Sequence, residues 1–370
     1  STRTVPHYPL PLPPSKVSPP LPAMASLLIL LLAGMSCVAH GVQQRAPAGR
    51  LAAAQVPMLA EMRAAPWNAT AQQRGCKAIW KFAFPPHEEW IQIRKNSRQD
   101  AAIAAGSDVT IIQAMQRFPD DMGLQIACIE GLAGMAAWNS DAYVKMGDHG
   151  AVEAMAEAVK RFSDREEMMG AVGNLGHFTD FKPSNEANLQ RMAKSNMTAA
   201  ILAGLRTFYN NGRVVMGILG YFSNACVPES IRAQMVRAGW LELTAQIMRD
   251  HLYYPGIPAE VIWDNDECFM DSSEYRNRQG DAGLPKEVIK AMNASNHGVH
   301  TDVVTEDRMY QNGLDMVIKF ARGNATHKAT LTEAGACEVV GDGMRRGLKV
   351  RRSLFCGVLA VLSCSAPPSC

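Results

Sequence analysis

A chain of 370 residues, 47% of them hydrophobic, is too apolar for wholesale disorder and has the length of about two ordinary domains. The formal net charge of +2 supplies no global pull toward nucleic acid or an anionic membrane. Gly 29 and Met 21, set against 7% aromatics, suit helices in close contact, with small residues at the crossings and Met filling gaps.

Residues 1–23 are Pro-rich, which excludes helix and central strand, so they are set apart from the native fold. Residues 24–41 begin at Met24 and carry the apolar run "ASLLILLLAG", followed by small residues. Such a run is too short to span a bilayer stably and has the form of a signal-peptide core, although a charged leading region is missing. An apolar first helix is the alternative. Residues 42–55 contain no acid and read as a linker or a transit-like segment. These features predict entry to the secretory pathway or an organelle, with the cytoplasm as the alternative. The nine cysteines show no zinc spacing and several replace aliphatic residues, which predicts buried thiols and no disulfide framework. Four N-x-[ST] sequons, at Asn68, Asn196, Asn293 and Asn324, point instead toward secretion.

From residue 56 to 366 one amphipathic pattern recurs. Met155, Ala158, Val159 and Phe162 are spaced i, i+3, i+4, i+7, which makes one stripe of a helix. The same stripe appears as Ile111–Ala114–Met115–Phe118, as Ile201–Gly204–Leu205–Phe208, and in the helices ending near His251, Ser295 and Gly347. Turn residues Gly106, Gly150, Asn196, Gly239, Gly283 and Gly335 accompany the stripes at intervals of 44, 46, 43, 44 and 52. Between the stripes lies a second set of helices centred on Ile79, Leu132, Leu175, Leu219, Leu314 and Leu359. No such centre is evident between Leu219 and Leu314. The spacing leaves room for one whole repeat whose first two helices are altered. Residues 253–283, with Asp264, Asp266, Glu267, Asp271 and Glu274, read as an acidic divergent insert in their place: a solvated loop with Trp263 and Phe269 packed inward, or alternatively a segment for partner docking or self-regulation. A calcium loop is excluded there, because Phe269 stands where the sharp turn needs Gly and Tyr275 where a bidentate Glu belongs. The final "SLFCGVLAVL" has no polar cover, which predicts a cap or partner at the C-terminal end.

A period of 43–46 residues built from helices and a glycine hinge predicts an all-α, right-handed solenoid of about six repeats. "DVTIIQAMQRFPDDMGLQIACIEGLAGMAAW", then "YVKMGDHGAVEAMAEAVKRF", and later "TEAGA", resemble the armadillo pattern. The resemblance implies a non-enzymatic scaffold that takes an extended peptide along a groove lined by third helices. Taking the stripe helices as those third helices, their last turns carry Arg117, Lys160, Arg161, Arg206, Arg249, Arg345 and Arg346. Aligned by stacking, these would form a basic ladder for an acidic extended segment of a protein partner. The plainer alternative is that they complement helix dipoles. The importin-alpha subclass is set aside, because no W-x-x-x-N array exists and Trp80 and Trp138 fall on or after the Leu-centred helices. A structural subunit of a larger assembly is the alternative function.

No phosphate loop, H-E-x-x-H or G-x-S-x-G is present, so no enzyme, catalytic residue, metal or cofactor is expected. His297 and His300 in "HGVH" are too few for a zinc site. His177 and His251 read as packing or capping residues. No nucleic-acid partner is expected.

Overall fold

The computed structural model describes residues 59–84, 97–179, 185–226, 228–254, 256–296, 303–348, 350–365 and 370. The Pro-rich, signal-like and linker segments and His297 and His300 lie outside the described residues. All elements among those residues are helical. They follow a three-helix rhythm, opened by a helical stretch at 59–64 and α1 (Ala69–Ala83).

Six triplets follow. The first is α2 (Ser97–Ala104), α3 (Ser107–Arg117) and α4 (Met122–Ala136). The next is α5 (Ser140–Asp148), α6 (Ala151–Arg161) and α7 (Glu166–Ala171), the last continued as a 3-10 segment over Val172–Phe178. Then come α8 (Glu186–Ser195), α9 (Met197–Phe208) and α10 (Gly212–Ala225), and after them α11 (Glu229–Arg237), α12 (Trp240–Asp250) and α13 (Ile257–Cys268). The last two are α14 (Ser273–Asp281), α15 (Leu284–Asn296), α16 (Val303–Gly323), and α17 (Ala325–Glu333), α18 (Ala336–Arg346), α19 (Arg352–Leu362).

The corner between the first and second helix of each triplet is a single left-handed residue. Gly106, Gly150, Asn196, Gly239, Gly283 and Gly335 all have positive φ, from 58° to 92°. These are the six turn residues of the sequence pattern, and they fix the order of the helices. The stripe helices stand second in each triplet, and the Leu-centred helices stand third. The sequence reading had the stripes third. The helix that precedes each corner is short and polar enough to be mistaken for a loop.

Helix starts are set by side-chain caps: Asn68, Asp121, Asn139, Asn211, Ser272 and Asn324 each accept a backbone N–H of the following turn. Burial follows the predicted stripe. Met155, Val159, Leu205 and Met248 are each 0% exposed. Third helices pack on their successors along the chain: α1 on α4, α4 on the 172–178 segment, that segment on α10, then α10 on α13, α13 on α16 and α16 on α19. Each repeat thus shields its neighbours' apolar faces, as a solenoid requires.

Two expectations are corrected here. The acidic insert is an ordinary piece of the array. α13 fills the third place of its triplet, with Val261 as the buried anchor, and α14 opens the next. Pro258 sits in the first turn of α13, where its missing N–H costs nothing. Asp264 is buried, and Asp266 is held by Lys319 at 2.8 Å. At the other end, α19 buries Phe355, Val358, Leu359 and Leu362 against its own chain, chiefly α16 and α18. No large hydrophobic side chain of α19 is exposed, so the bare helix that called for a cap is covered.

Candidate functional site

Each of the seven predicted ladder cations has a partner within the chain. Arg117 donates to the Pro66 carbonyl at 3.0 Å and lies 4.7 Å from the Trp67 ring centroid. Arg161 pairs with Asp120, and Arg206 donates to the Ala238 carbonyl. Arg249 reaches the buried Glu287 at 3.4 Å, and Arg346 reaches Glu306 at 2.6 Å. Lys160 and Arg345 pair within their own helices with Glu157 and Asp342. Five of the seven therefore clamp one repeat to the next. The shallow recess of about 280 Å³ between α3 and α6 is lined by Arg161, but also by Glu153 and Glu157. Its charge is mixed.

The third helices present a different surface. A cleft of about 730 Å³ runs across α1, α4, α7 and α10. Its lining includes Trp80, Ile126, Glu130, Glu167, Asn174 and Asn211. Ile126 and Glu130 are four residues apart. Glu167, Ala171 and Asn174 are spaced i, i+4, i+7, so each set is one stripe that runs from the edge of the core into the cleft. Glu166 also lines the cleft and accepts from the Asn211 amide, whose oxygen caps α10. No ion pair among the described residues engages Glu130, Glu166 or Glu167. Arg213 is the one cation among the described residues of the lining.

Aromatic rings continue this face. Trp80 lies 5.6 Å from Phe84, Phe84 lies 6.2 Å from Trp138, and Trp138 lies 5.3 Å from His177. Trp138 is 48% exposed and takes a positive φ of 55° at the end of α4. Burial holds the His177 imidazole below its ordinary value, so it stays neutral beside the indole. The floor beneath is backbone packed on backbone. A Cβ placed on Gly173 would lie 2.9 Å from the Gly217 Cα, so glycine is needed there for the 172–178 segment and α10 to approach. The arrangement offers carboxylates, amides and ring faces in one trough, a set that can hold extended backbone and cationic side chains.

Sequence reasoning missed Glu130, Glu166, Glu167, Asn174 and Asn211, because the wrong helix was placed third. The signal was present as the polar stripe of each Leu-centred helix. His251 behaves as expected: it is 8% exposed and donates through Nε2 to the Tyr209 carbonyl of the preceding repeat. No group of three or more His, Cys, Asp or Glu suited to a metal occurs among the described residues. No helix among them is long and apolar enough to cross a membrane.

These features define a helical-repeat solenoid with a trough along its third helices. No family model matches the sequence, and no curated protein matches it. The fold is nevertheless that of armadillo repeats. A crystal structure of an engineered protein aligns with a TM-score of 0.65 at 15% identity, over 86% of this chain and 69% of that one. A designed armadillo repeat protein aligns with a TM-score of 0.51 at 15% identity, over 69% of this chain and 98% of its own. A second designed armadillo repeat protein, solved in complex with the peptide (KR)4, gives 0.51 at 16% identity over the same shares.

Proposed function

We propose that this chain is a non-enzymatic protein-binding scaffold that takes an extended, cationic segment of a partner along α1, α4, α7 and α10. One observation carries the reading: Glu130, Glu166 and Glu167 face one cleft, and no cation among the described residues is ion-paired to them. Carboxylates in such a trough attract Lys and Arg at long range and accept their hydrogen bonds at contact. Trp80 and Trp138 supply ring faces for the same side chains. Asn174 supplies an amide for peptide backbone, which an extended ligand leaves unpaired. The (KR)4 peptide held by a designed armadillo relative is a ligand of this kind and serves as the probe.

The acidic ligand expected from the basic ladder is disfavoured on energetic grounds. To meet it, Arg161, Arg249 and Arg346 would have to leave Asp120, Glu287 and Glu306. Each release would also loosen a contact between repeats; the buried Glu287 would keep only Lys290, and Glu306 would lose Arg346 while buried.

Calorimetric titration of the full chain tests this. The (KR)4 peptide should bind, and its affinity should fall as salt rises from 50 to 300 mM, on the order of the screening expected for exposed charges. Glu130→Gln combined with Glu166→Gln and Glu167→Gln should weaken it by about thirtyfold, at roughly three- to fourfold per exposed contact. Equal affinity of the triple variant, or tighter binding of a peptide of Asp and Glu, would remove the reading.

A further inference from the structure

Eight of the nine cysteines fall among the described residues, and all eight are in pairs. Cys76 of α1 faces Cys128 of α4 with Cα atoms 5.0 Å apart. Cys226, at the end of α10, faces Cys268, at the end of α13, at 5.9 Å. Cys337 of α18 faces Cys364 at 5.8 Å, and Cys356 of α19 faces Cys370 at 5.4 Å. All four separations suit a bridge, for which the Cα atoms stand roughly 4.4–6.8 Å apart.

We propose that these four pairs are permanent disulfides and that the chain matures in an oxidising compartment. In this reading two bridges staple consecutive third helices and two close the C-terminal repeat. This replaces the expectation of buried free thiols, and it does not depend on the ligand proposed above.

Three observations carry it. The first is completeness. Cysteines acting only as small apolar fillers would scatter over the buried columns, and most would face Leu, Val or Met. Here no described cysteine is left over. The second is position. Cys226 stands seven residues after the anchor Leu219, and Cys268 stands seven after the anchor Val261. They occupy the same place in successive repeats, and stacking brings such places together. Cys76, three residues before the anchor Ile79, and Cys128, four before Leu132, likewise lie on two third helices that stack directly. The third is where the other two bridges fall. Cys337–Cys364 joins α18 to the residue two past the end of α19, and Cys356–Cys370 joins α19 to the chain beyond it. Both bridges hold α19 and the segment after it within one repeat, closing loops that the unfolded chain would leave open.

The sequons agree independently. Asn68, Asn196 and Asn293 are exposed, as acceptors of N-linked sugar must be in a protein of that compartment. Each bridge forms when two thiols pass two electrons and two protons to a disulfide-bearing oxidant, which becomes a dithiol.

The test equilibrates the full chain with a mixture of glutathione and glutathione disulfide at secretory-compartment poise. It is then denatured with an alkylating reagent present, digested and mapped by mass spectrometry. The eight cysteines should resist alkylation, in peptides joined 76–128, 226–268, 337–364 and 356–370. Alkylation of Cys76, Cys128, Cys226 and Cys268 would overturn the proposal, and so would any other set of pairings. Reduction before heating should lower the unfolding temperature by about 10 °C, and an unchanged temperature would refute the structural role.

Discussion

Two neighbouring junctions of the array solve the same problem with opposite materials. Between the 172–178 segment and α10, glycines let backbones touch, and Phe178 and Phe222 fill the space beside them with no exposure. One repeat later, between α10 and α13, the corresponding place holds Asp264. Three residues after each anchor from Leu132 onward the chain reads Met135, Phe178, Phe222, Asp264, Val317 and Leu362. Five are apolar and one is an acid that is 1% exposed. Burial pushes the Asp264 carboxyl well above its ordinary range, Ser223 offsets this only in part, and the nearby Glu260 adds to it. The folded chain therefore favours the protonated carboxyl more than water does. A repeat protein can carry such a defect because each junction contributes its own share of stability.

The comparison can be broken first at its apolar side. Leu219→Ala removes a fully buried anchor of α10, which both junctions share. It should cost about 3 kcal/mol by denaturant titration, the usual loss for a buried Leu. Gly173→Ala attacks the close approach alone. With the Gly217 backbone in the way, relief must come from separating the helices, and a loss of about 1–3 kcal/mol is expected in the same measurement.

The acidic side sharpens the contrast through pH. The folded state holds the Asp264 proton more tightly than the unfolded state does. Between the ordinary carboxylate pKa and the raised folded value, unfolding therefore releases a proton, and stability falls as pH rises. Asp264→Asn removes the titration without changing the volume. It should raise the unfolding temperature at pH 7–8 by a few degrees, for about 1 kcal/mol gained, and flatten the decline with pH. Thermal scans from pH 4 to 8 would show this. The smallest effect belongs to the surface. Arg345, 71% exposed and paired with Asp342 in its own helix, should change stability by less than about 0.5 kcal/mol when replaced by Ala.

The repeat itself was legible in the sequence, because its signals are periodic. Stripe residues such as Val159 and Met248 must be buried at helical spacing, and a left-handed corner accepts little besides Gly or Asn, as at Gly150 and Asn196. What was not legible is the first helix of each triplet. α14, "SEYRNRQGD", buries only Gln279, so nothing in its hydrophobic pattern distinguishes it from a loop. Missing it shifted the helix order by one, so that the stripe helices, which stand second in each triplet, were expected to stand third. α13 was hidden for a related reason. Asp264 broke the apolar column that marks every other third helix, and the acids around it read as solvated. The ladder cations were correctly placed at helix ends, but sequence could not reveal that Asp120, Glu287 and Glu306 of adjacent repeats would engage them.

The claim that the third-helix row is the binding face can be tested at single residues. Zero-length carbodiimide cross-linking of bound (KR)4, followed by peptide mapping, would join the lysines of the probe to the nearest carboxylates. The account predicts links at Glu130, Glu166 and Glu167. Links confined to Asp120, Glu153 and Glu157 beside the second helices would contradict it.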